Sequence, residues 1–250
     1  MPFDRFTEKP IISSFEPIFL DEMKGVELMN RVDTKFLIGR SVFNEILKEL
    51  AVGYKALEIK GEKMIEYSTL YFDTPRFQLY LDHHNSRVDR FKVRIRNYVS
   101  SGLFYLEIKH KYKGRTDKNR ISLPGFEEDL QLHSREFIHA TIGHEVGLES
   151  KLWNSFDRIT LVSKTDKERL TIDLNLTYRS GDNTVVKDEV VVAELKQEKL
   201  NRNSLFYQLM KKNQIRPHGF SKYCIGAVTL YDDLKYNNFK EHQLLLNKLK

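Results

Sequence analysis

One nine-residue stretch, RFKVRIRNY at residues 90–98, repeats a cation at every second position. Successive side chains of a β-strand point to opposite faces, so a strand here carries Arg90, Lys92, Arg94 and Arg96 on one face and apolar side chains on the other. The planar guanidinium of arginine binds phosphate and carboxylate groups in a bidentate manner. The question is whether this cationic face meets solvent or lines an interior that holds an anion.

Other alternating segments share the same division into one charged and one apolar face. A solvated charged face is the common arrangement in antiparallel sheets, and the pattern alone leaves it open. However, cations dominate these rows, whereas a solvated face gains from mixed signs. About eight strands is also the number that closes into a barrel with room for side chains and one small ligand. The charged residues of the rows are Arg31, Asp33, Lys35, Glu107, Lys109, Lys111, Lys118, Arg120, Arg158, Arg169, Asp173, Glu194 and Lys196.

The elements that position these rows alternate with short turns rich in glycine and serine, which favour antiparallel hairpins. Helical periodicity interrupts them four times, and Ser41 and Pro217 are the expected start and stop signals of two helices. The predicted strands are at about 31–39, 67–74, 90–99, 103–111, 118–123, 157–163, 169–178 and 186–196. The predicted helices are at 42–50, within 126–146 as one or two helices, at 201–214 and at 239–250.

The bulk composition narrows the classes of protein. With 41 Lys and Arg against 35 Asp and Glu, the net charge is +6, which attracts polyanions without identifying one. No segment approaches the length of a signal peptide or membrane span, and the single Cys224 agrees with a reducing compartment, so we expect a cytoplasmic protein. Histidine spacings do not support zinc, and the common glycine-rich phosphate loops are absent, so any phosphate chemistry must use side chains.

Four carboxylates lie in the cationic rows: Asp33, Glu107, Asp173 and Glu194. Such oxygens are ligands for a hard divalent cation whose shell is completed by substrate phosphates. A carboxylate beside basic neighbours is more commonly a charge balancer, and both interpretations stay open for each residue.

Seven segments, in this order, resemble the VTC domain, the polyphosphate polymerase branch of the CYTH or triphosphate tunnel metalloenzyme superfamily. The resemblance spans about residues 27–230 of a chain that we interpret as a single domain, 1–250. It implies an α+β fold with a closed eight-stranded antiparallel β-barrel, helices packed outside, and a basic tunnel for a metal-bound phosphate chain. The segments are RVDTKFLI, LYFDTPRFQLY, KVRIRNY, LEIKHK, RLTIDLNLTY, VAELKQEK and GFSKYCIG.

The resemblance also implies a set of site residues. It assigns catalysis to Arg94, Arg96, Lys109, Arg158 and Arg169. It assigns substrate binding to Lys35, Lys118, Arg120 and Lys222, with Lys118 as the fallback for Arg120, and metal binding to Glu194. The chain departs from the family pattern where Arg31 and Asp33 replace two glutamates, and where Gly219 replaces a lysine for which Arg216 or His218 could substitute.

The function that follows is metal-dependent phosphoryl transfer on linear phosphoanhydrides with Mn2+ or Mg2+, as a polyphosphate polymerase that uses the terminal phosphate of ATP. The alternatives are an inorganic or nucleoside triphosphatase of the same fold and a non-catalytic polyphosphate-binding module. The expected ligands are ATP, triphosphate or polyphosphate. An integral membrane partner protein is left open, and no nucleic acid is expected because no familiar module signature is present.

Overall fold

The structure is a computed structural model that describes residues 8–23 and 31–249. It contains one sheet of eleven strands with α-helices on both of its faces. The strands are β1 (Pro17–Ile18), β2 (Val32–Gly39), β3 (Tyr54–Leu57), β4 (Met64–Asp73), β5 (Asp89–Tyr98), β6 (Leu103–Tyr112), β7 (Arg115–Leu123), β8 (Glu149–Ser163), β9 (Glu168–Ser180), β10 (Asn183–Lys187) and β11 (Val190–Gln197). The helices are α1 (Lys9–Ser13), α2 (Arg40–Leu50), α3 (Gln78–His84), α4 (Leu132–Ile142), α5 (Leu205–Lys212), α6 (Lys222–Leu230) and α7 (Lys240–Lys248).

Eight of the strands form a continuous path in the order β2-β11-β9-β8-β4-β5-β6-β7. Every neighbouring pair on this path is antiparallel. Strands β1, β3 and β10 attach to the path from the side. The predicted α+β class with an antiparallel sheet is therefore confirmed.

The prediction of a closed eight-stranded barrel is wrong. The sheet has eleven strands, and β2 and β7 are the two ends of the path, with no ladder between them in the described part of the chain. The free edge of β2 instead pairs with the loop before α6. Phe36 forms an isolated bridge with Pro217, and the His218 backbone N–H donates to the Lys35 carbonyl over 2.8 Å. This loop occupies the hydrogen-bonding groups that closure onto β7 would need.

The outer face of the sheet is apolar and covered by helices, as the alternation predicted. On one half, side chains such as Ile172 and Ala193 pack against α2 and α5. On the other half, side chains such as Val93 and Ile108 pack against Ile138 of α4. Burial of these faces directs the opposite, charged faces of the same strands inward.

The inner face is apolar at one end, and α6 fills the space there. Tyr223, Cys224, Ile225 and Ala227 of α6 are buried with inner-face residues of the sheet and with Leu246 of α7. The helix was not predicted because its sequence is apolar all round and shows no amphipathic period. Its first residues point toward the charged end of the interior.

Three local predictions are also corrected. Helix α2 begins at Arg40 with Gly39 as its N-cap, so Ser41 is not the cap. Helix α5 ends at Lys212, before Pro217. The predicted strand 186–196 is divided into β10 and β11, because Asn175 of the partner strand β9 has a φ of 54° in the left-handed region, which interrupts the ladder.

Among the described residues, no helix is long and apolar enough to cross a membrane.

Gly226 sets the closeness of α6 to the sheet. A Cβ at this position would lie 2.5 Å from Cδ1 and 2.8 Å from Cε1 of Tyr178. We expect Gly226→Ala to lower the free energy of unfolding by about 1–3 kcal/mol in urea denaturation, because a buried clash forces α6 outward. Gly147→Ala is the matched control, since its Cβ meets nothing within 4 Å. Equal stability of the two variants would contradict the close packing.

Candidate functional site

The charged end of the interior is a cavity of about 510 Å³. It is lined by side chains from strands along the whole path and by the start of α6. Eleven cationic side chains contribute to the lining, against two carboxylates, Asp173 and Glu194. The cations are Arg31, Lys35, Lys92, Arg94, Arg96, Lys109, Lys118, Arg158, Arg169, Lys196 and Lys222.

Strand register explains how these side chains meet. Lys92 of β5 lies directly opposite Lys109 of β6, and Lys109 lies opposite Lys118 of β7. Directly opposite residues of an antiparallel pair share one face, and like charges in such positions are destabilising. The structure therefore holds a cross-strand row of three lysines that repel one another, and among the described residues Lys118 alone of the three contacts a carboxylate, that of Glu107.

Arg94 has a buried carboxylate partner behind the cavity wall. Its Nε and Nη2 donate to Glu107 Oε2 over 2.9 and 2.7 Å, and its Nη1 donates to the Tyr71 hydroxyl over 3.3 Å. Glu107 also contacts Lys118. Burial raises the pKa of Glu107, but Arg94, Arg96 and Lys118 outweigh it and hold that pKa well below its usual range. The carboxylate is thus ionised, and it fixes the orientation of the Arg94 guanidinium.

Arg158 is fixed in the same way by Asp173. Its Nε donates to Oδ1 over 2.6 Å and its Nη2 donates to Oδ2 over 2.8 Å, and Lys222 contacts the same carboxylate. The Arg158 guanidinium also lies 5.0 Å from the ring centroid of Tyr67, which stacks on Phe156. Aromatic faces attract cations, so this stacked pair supports the cationic wall without neutralising it.

Four other cations of the cavity have no carboxylate within ion-pair distance among the residues described: Lys92, Arg96, Lys109 and Arg169. The buried Nε groups of Arg96 and Arg169 also lack a hydrogen-bond partner there. Burial, and then Arg94, lowers the pKa of Arg96. Arg94, then burial and Arg96, lowers the pKa of Lys109 well below its usual value. Buried donors are almost always satisfied in native proteins, so these two guanidinium groups are suited to an anionic ligand in the cavity.

The first turn of α6 forms one boundary of the cavity. Ser221 caps the helix by accepting from the Cys224 backbone N–H, and Lys92 donates to the same hydroxyl over 2.9 Å. The neighbouring Tyr223 donates its hydroxyl proton to Asp73, which also accepts from the backbone N–H groups of Leu79 and Tyr80. Asp73 thereby fixes α6 and α3 together, and the positive end of the α6 dipole faces the cavity.

The carboxylates differ in their availability to a metal ion. No group of three or more His, Cys, Asp or Glu residues that could hold a metal occurs in the described ranges. The Glu107 and Asp173 side chains are only 0% and 4% exposed, whereas that of Glu194 is 22% exposed. Glu194 lies between Lys196 and Lys35, whose Nζ is 3.5 Å from Oε1. Its carboxylate oxygens suit a Mg2+-type ion that is bound by one carboxylate and whose coordination shell is completed by phosphate oxygens.

The structure brings together all but one of the residues proposed from the sequence. Arg120 is the exception, because its guanidinium lies 4.6 Å from the centroid of the Tyr105 ring, outside the cavity lining. The fallback, Lys118, lines the cavity instead. Lys92 and Lys196 also line the cavity but were not predicted as site residues, although both lie in the alternating rows that indicated the others.

Fold and cavity together define an α+β protein whose curled antiparallel sheet encloses a strongly cationic interior. The sequence matches the VTC domain over residues 30–231, and the chain belongs to this family. A search among curated proteins finds no match.

Two solved structures are similar to this chain at low sequence identity. A proposed adenylyl cyclase from Hippeastrum, described as having a dominant triphosphatase activity, is 15% identical with a TM-score of 0.51, over 80% of this chain and 96% of that chain. A proposed adenylate cyclase from Bacillus halodurans is 13% identical with a TM-score of 0.47, over 77% of this chain and 94% of that chain. The Hippeastrum comparison supports a shared fold.

Proposed function

We propose that this protein transfers phosphoryl groups between linear phosphoanhydrides in a metal-dependent reaction, as a polyphosphate polymerase that uses the terminal phosphate of ATP. Membership of the VTC family and the cavity support the proposal together. The observation that carries it is the excess of cations around one cavity, with buried guanidinium donors on Arg96 and Arg169 that have no partner within residues 8–23 and 31–249. A narrow, repeatedly charged phosphate chain supplies the acceptors that these donors need.

Each group of residues has a distinct part in the proposed reaction. Arg94 and Arg158, fixed by buried carboxylates, hold successive phosphates in line, and Arg96, Lys109 and Arg169 bind oxygens on which negative charge accumulates. Positioning and electrostatic stabilisation supply most of the catalysis in phosphoryl transfer, so no side-chain nucleophile is required. A Mg2+ or Mn2+ ion held by Glu194 would neutralise further charge on the phosphates. The attacking oxygen belongs to the terminal phosphate of the growing chain, and ADP is the leaving group.

The test is incubation of the purified protein with ATP and Mn2+, with separate measurement of long-chain polyphosphate and ADP. The polymerase proposal predicts that both accumulate together and that added tripolyphosphate competes with ATP. A folded protein that binds tripolyphosphate without making either polyphosphate or free phosphate would be a binding module, and the enzymatic proposal would be rejected.

One observation favours a triphosphatase as the second candidate. Helix α6 fills the apolar end of the interior, which limits the length of chain that lies straight within the sheet. The activity stated for the Hippeastrum protein agrees with this alternative. Release of phosphate from tripolyphosphate, with no long-chain product from ATP at any Mn2+ concentration, would decide for the triphosphatase.

We expect the protein to take up protons when it binds the proposed ligand at alkaline pH. Burial lowers the pKa of Lys92 to about 8 and that of Lys222 to about 8, although Asp173 partly opposes the second shift. A bound polyanion favours the charged form and raises both pKa values again. We therefore expect tripolyphosphate to bind most tightly below pH 8 and to take up protons at pH 9, because the bound state holds more protons than the free state.

The measurement is calorimetry at pH 9 in two buffers with different enthalpies of ionisation. Lys222→Gln should take up fewer protons than the parent protein, whereas Lys48→Gln, on the exposed side of α2, should leave the uptake unchanged. Uptake that is zero in the parent protein would show that these lysines do not meet the ligand.

A further inference from the structure

Two histidines outside the cavity lining contact each other, although they are far apart in the sequence. His218 belongs to the loop before α6, and His242 belongs to the first turn of α7. Their ring centroids are 4.3 Å apart, with an angle of 60° between the ring planes. His218 was left open as a substitute for a substrate contact, but it does not line the cavity. The pair is therefore separate from the residues proposed to bind phosphate.

Each of the two rings has a buried nitrogen without a hydrogen-bond partner. These atoms are Nε2 of His218 and Nδ1 of His242, and neither has a partner within residues 8–23 and 31–249. Among the histidines that the structure describes, no other ring has such a nitrogen. Native proteins rarely bury an unsatisfied polar atom, so two of them on rings in contact indicate a shared ligand.

Gly219 determines which nitrogen of His242 carries the proton. A Cβ at Gly219 would lie 4.0 Å from Nε2 of His242, and the Gly219 backbone carbonyl attracts the ring proton. A neutral imidazole has one N–H group and one lone pair, so the lone pair of His242 is on Nδ1, the buried nitrogen. Metal-binding histidines commonly have this arrangement, in which a backbone carbonyl accepts from the second ring nitrogen.

Both histidines lie on segments that are held in place by other contacts. The His218 backbone N–H donates to the Lys35 carbonyl over 2.8 Å, and the preceding Pro217 forms a bridge with Phe36. On α7, Leu246 is buried with residues of α6 and of the inner face of the sheet. The two rings are thus held in contact without a ligand, which lowers the entropy that binding would cost.

We infer that His218 and His242 form a binding site for a transition-metal ion of the Zn2+ or Cu2+ type, which links α7 to the loop before α6. Imidazole nitrogen suits these ions, whereas Mg2+ and Mn2+ prefer oxygen ligands, so this site differs in chemistry from the one proposed at Glu194.

The dimensions of the pair agree with one shared ion. Zn2+ lies about 2.0–2.1 Å from a histidine nitrogen, so the two nitrogens must come within about 4.2 Å of each other, and ring centroids 4.3 Å apart allow this. Water completes the coordination, since no third His, Cys, Asp or Glu joins the pair in the described part of the chain. Both histidines are only partly buried as whole residues, so an ion can enter from solvent.

The first experiment is thermal unfolding of the full chain with and without Zn2+, in the absence of any phosphate ligand. Binding to the folded state should raise the melting temperature by about 3–6 °C once Zn2+ is well above its dissociation constant. His218→Gln and His242→Gln should each lose most of this rise, and they test the site independently because they lie on different elements. The exposed His144→Gln is the matched control and should keep the rise, as should Glu194→Gln.

The second experiment uses Cu2+, whose electron paramagnetic resonance spectrum identifies its ligands directly. One equivalent of Cu2+ should show couplings to the nitrogens of two imidazoles in the parent protein, and either histidine variant should lose this two-imidazole signal. The control variant should keep it. This measurement separates a metal site from a role of the two rings in packing alone, because packing produces no such couplings.

Two outcomes would overturn the inference. One is an equal rise in melting temperature in the parent protein and both histidine variants, and the other is a Cu2+ spectrum without two imidazole ligands. Either would indicate that a water molecule between the rings satisfies the two nitrogens. Because no phosphate ligand is present in these experiments, their failure would leave the proposed function unaffected.

Discussion

Replacing Glu194 by glutamine should greatly lower metal-dependent turnover while it strengthens metal-free binding of tripolyphosphate. Glu194 is one of two carboxylates in the cavity lining and the more exposed of them. Burial raises its pKa, but Lys196 and Lys35 outweigh this and hold the pKa well below the usual range, so the residue carries a full negative charge at neutral pH. Its removal takes away the proposed metal ligand and leaves the cavity more positive.

We expect turnover to fall by about 100-fold or more, because a bound metal contributes several kcal/mol of charge stabilisation. Tripolyphosphate affinity should be measured with EDTA present, so that the two effects are separated. Glu66→Gln is the control, since it removes an exposed carboxylate of β4 that does not line the cavity. Retained Mn2+-dependent turnover in Glu194→Gln, with affinity unchanged, would reject the role proposed for this residue.

Arg94 and Arg96 should respond differently to substitution, although both line the cavity. Arg94→Gln removes both guanidinium donors from the fully buried Glu107 and leaves Lys118 as its ion-pair partner, and breaking a buried pair typically costs about 3–5 kcal/mol of unfolding free energy. Arg96→Gln removes a cation whose pKa is already lowered by burial and by Arg94, so it should not destabilise the protein. Both variants should bind tripolyphosphate more weakly than the parent protein.

The measurements are urea unfolding and calorimetric binding for each variant. A further variant, Arg94→Gln with Glu107→Gln, separates the two functions of the pair. It should recover most of the lost stability, because no unpaired buried charge remains, yet it should not recover binding. Recovery of binding together with stability would show that Arg94 contributes only to folding.

The cationic inner face was predictable because strand alternation is a local property of the sequence. In β5, Val93 and Ile95 point toward the covered outer face, so Arg94 and Arg96 must point inward. Lys92 lies in the same row and could have been predicted by the same argument. The choice between Arg120 and Lys118 could not be predicted from the sequence, because both residues lie on the same face of β7. Only the curl of the sheet decides that Lys118, and not Arg120, reaches the cavity.

Features that depend on distant segments were not predictable. The sheet stays open because a loop near Pro217 pairs with Phe36, about 180 residues earlier in the chain, and no local pattern encodes that contact. Helix α6 lacks a period because it is buried on all sides, and its Tyr223 reaches Asp73 only in the folded structure. The pairing of Glu107 and Asp173 with particular arginines likewise depends on the register of neighbouring strands.

A crystal structure with tripolyphosphate and Mn2+ tests the central claim most directly, because it locates the anion relative to the cavity. The account predicts phosphate oxygens within hydrogen-bonding distance of Arg96 and Arg169, whose buried Nε groups have no partner among the described residues, and a metal ion on Glu194. Tripolyphosphate found only on the outer surface, with the cavity cations unchanged and in contact with water alone, would contradict it.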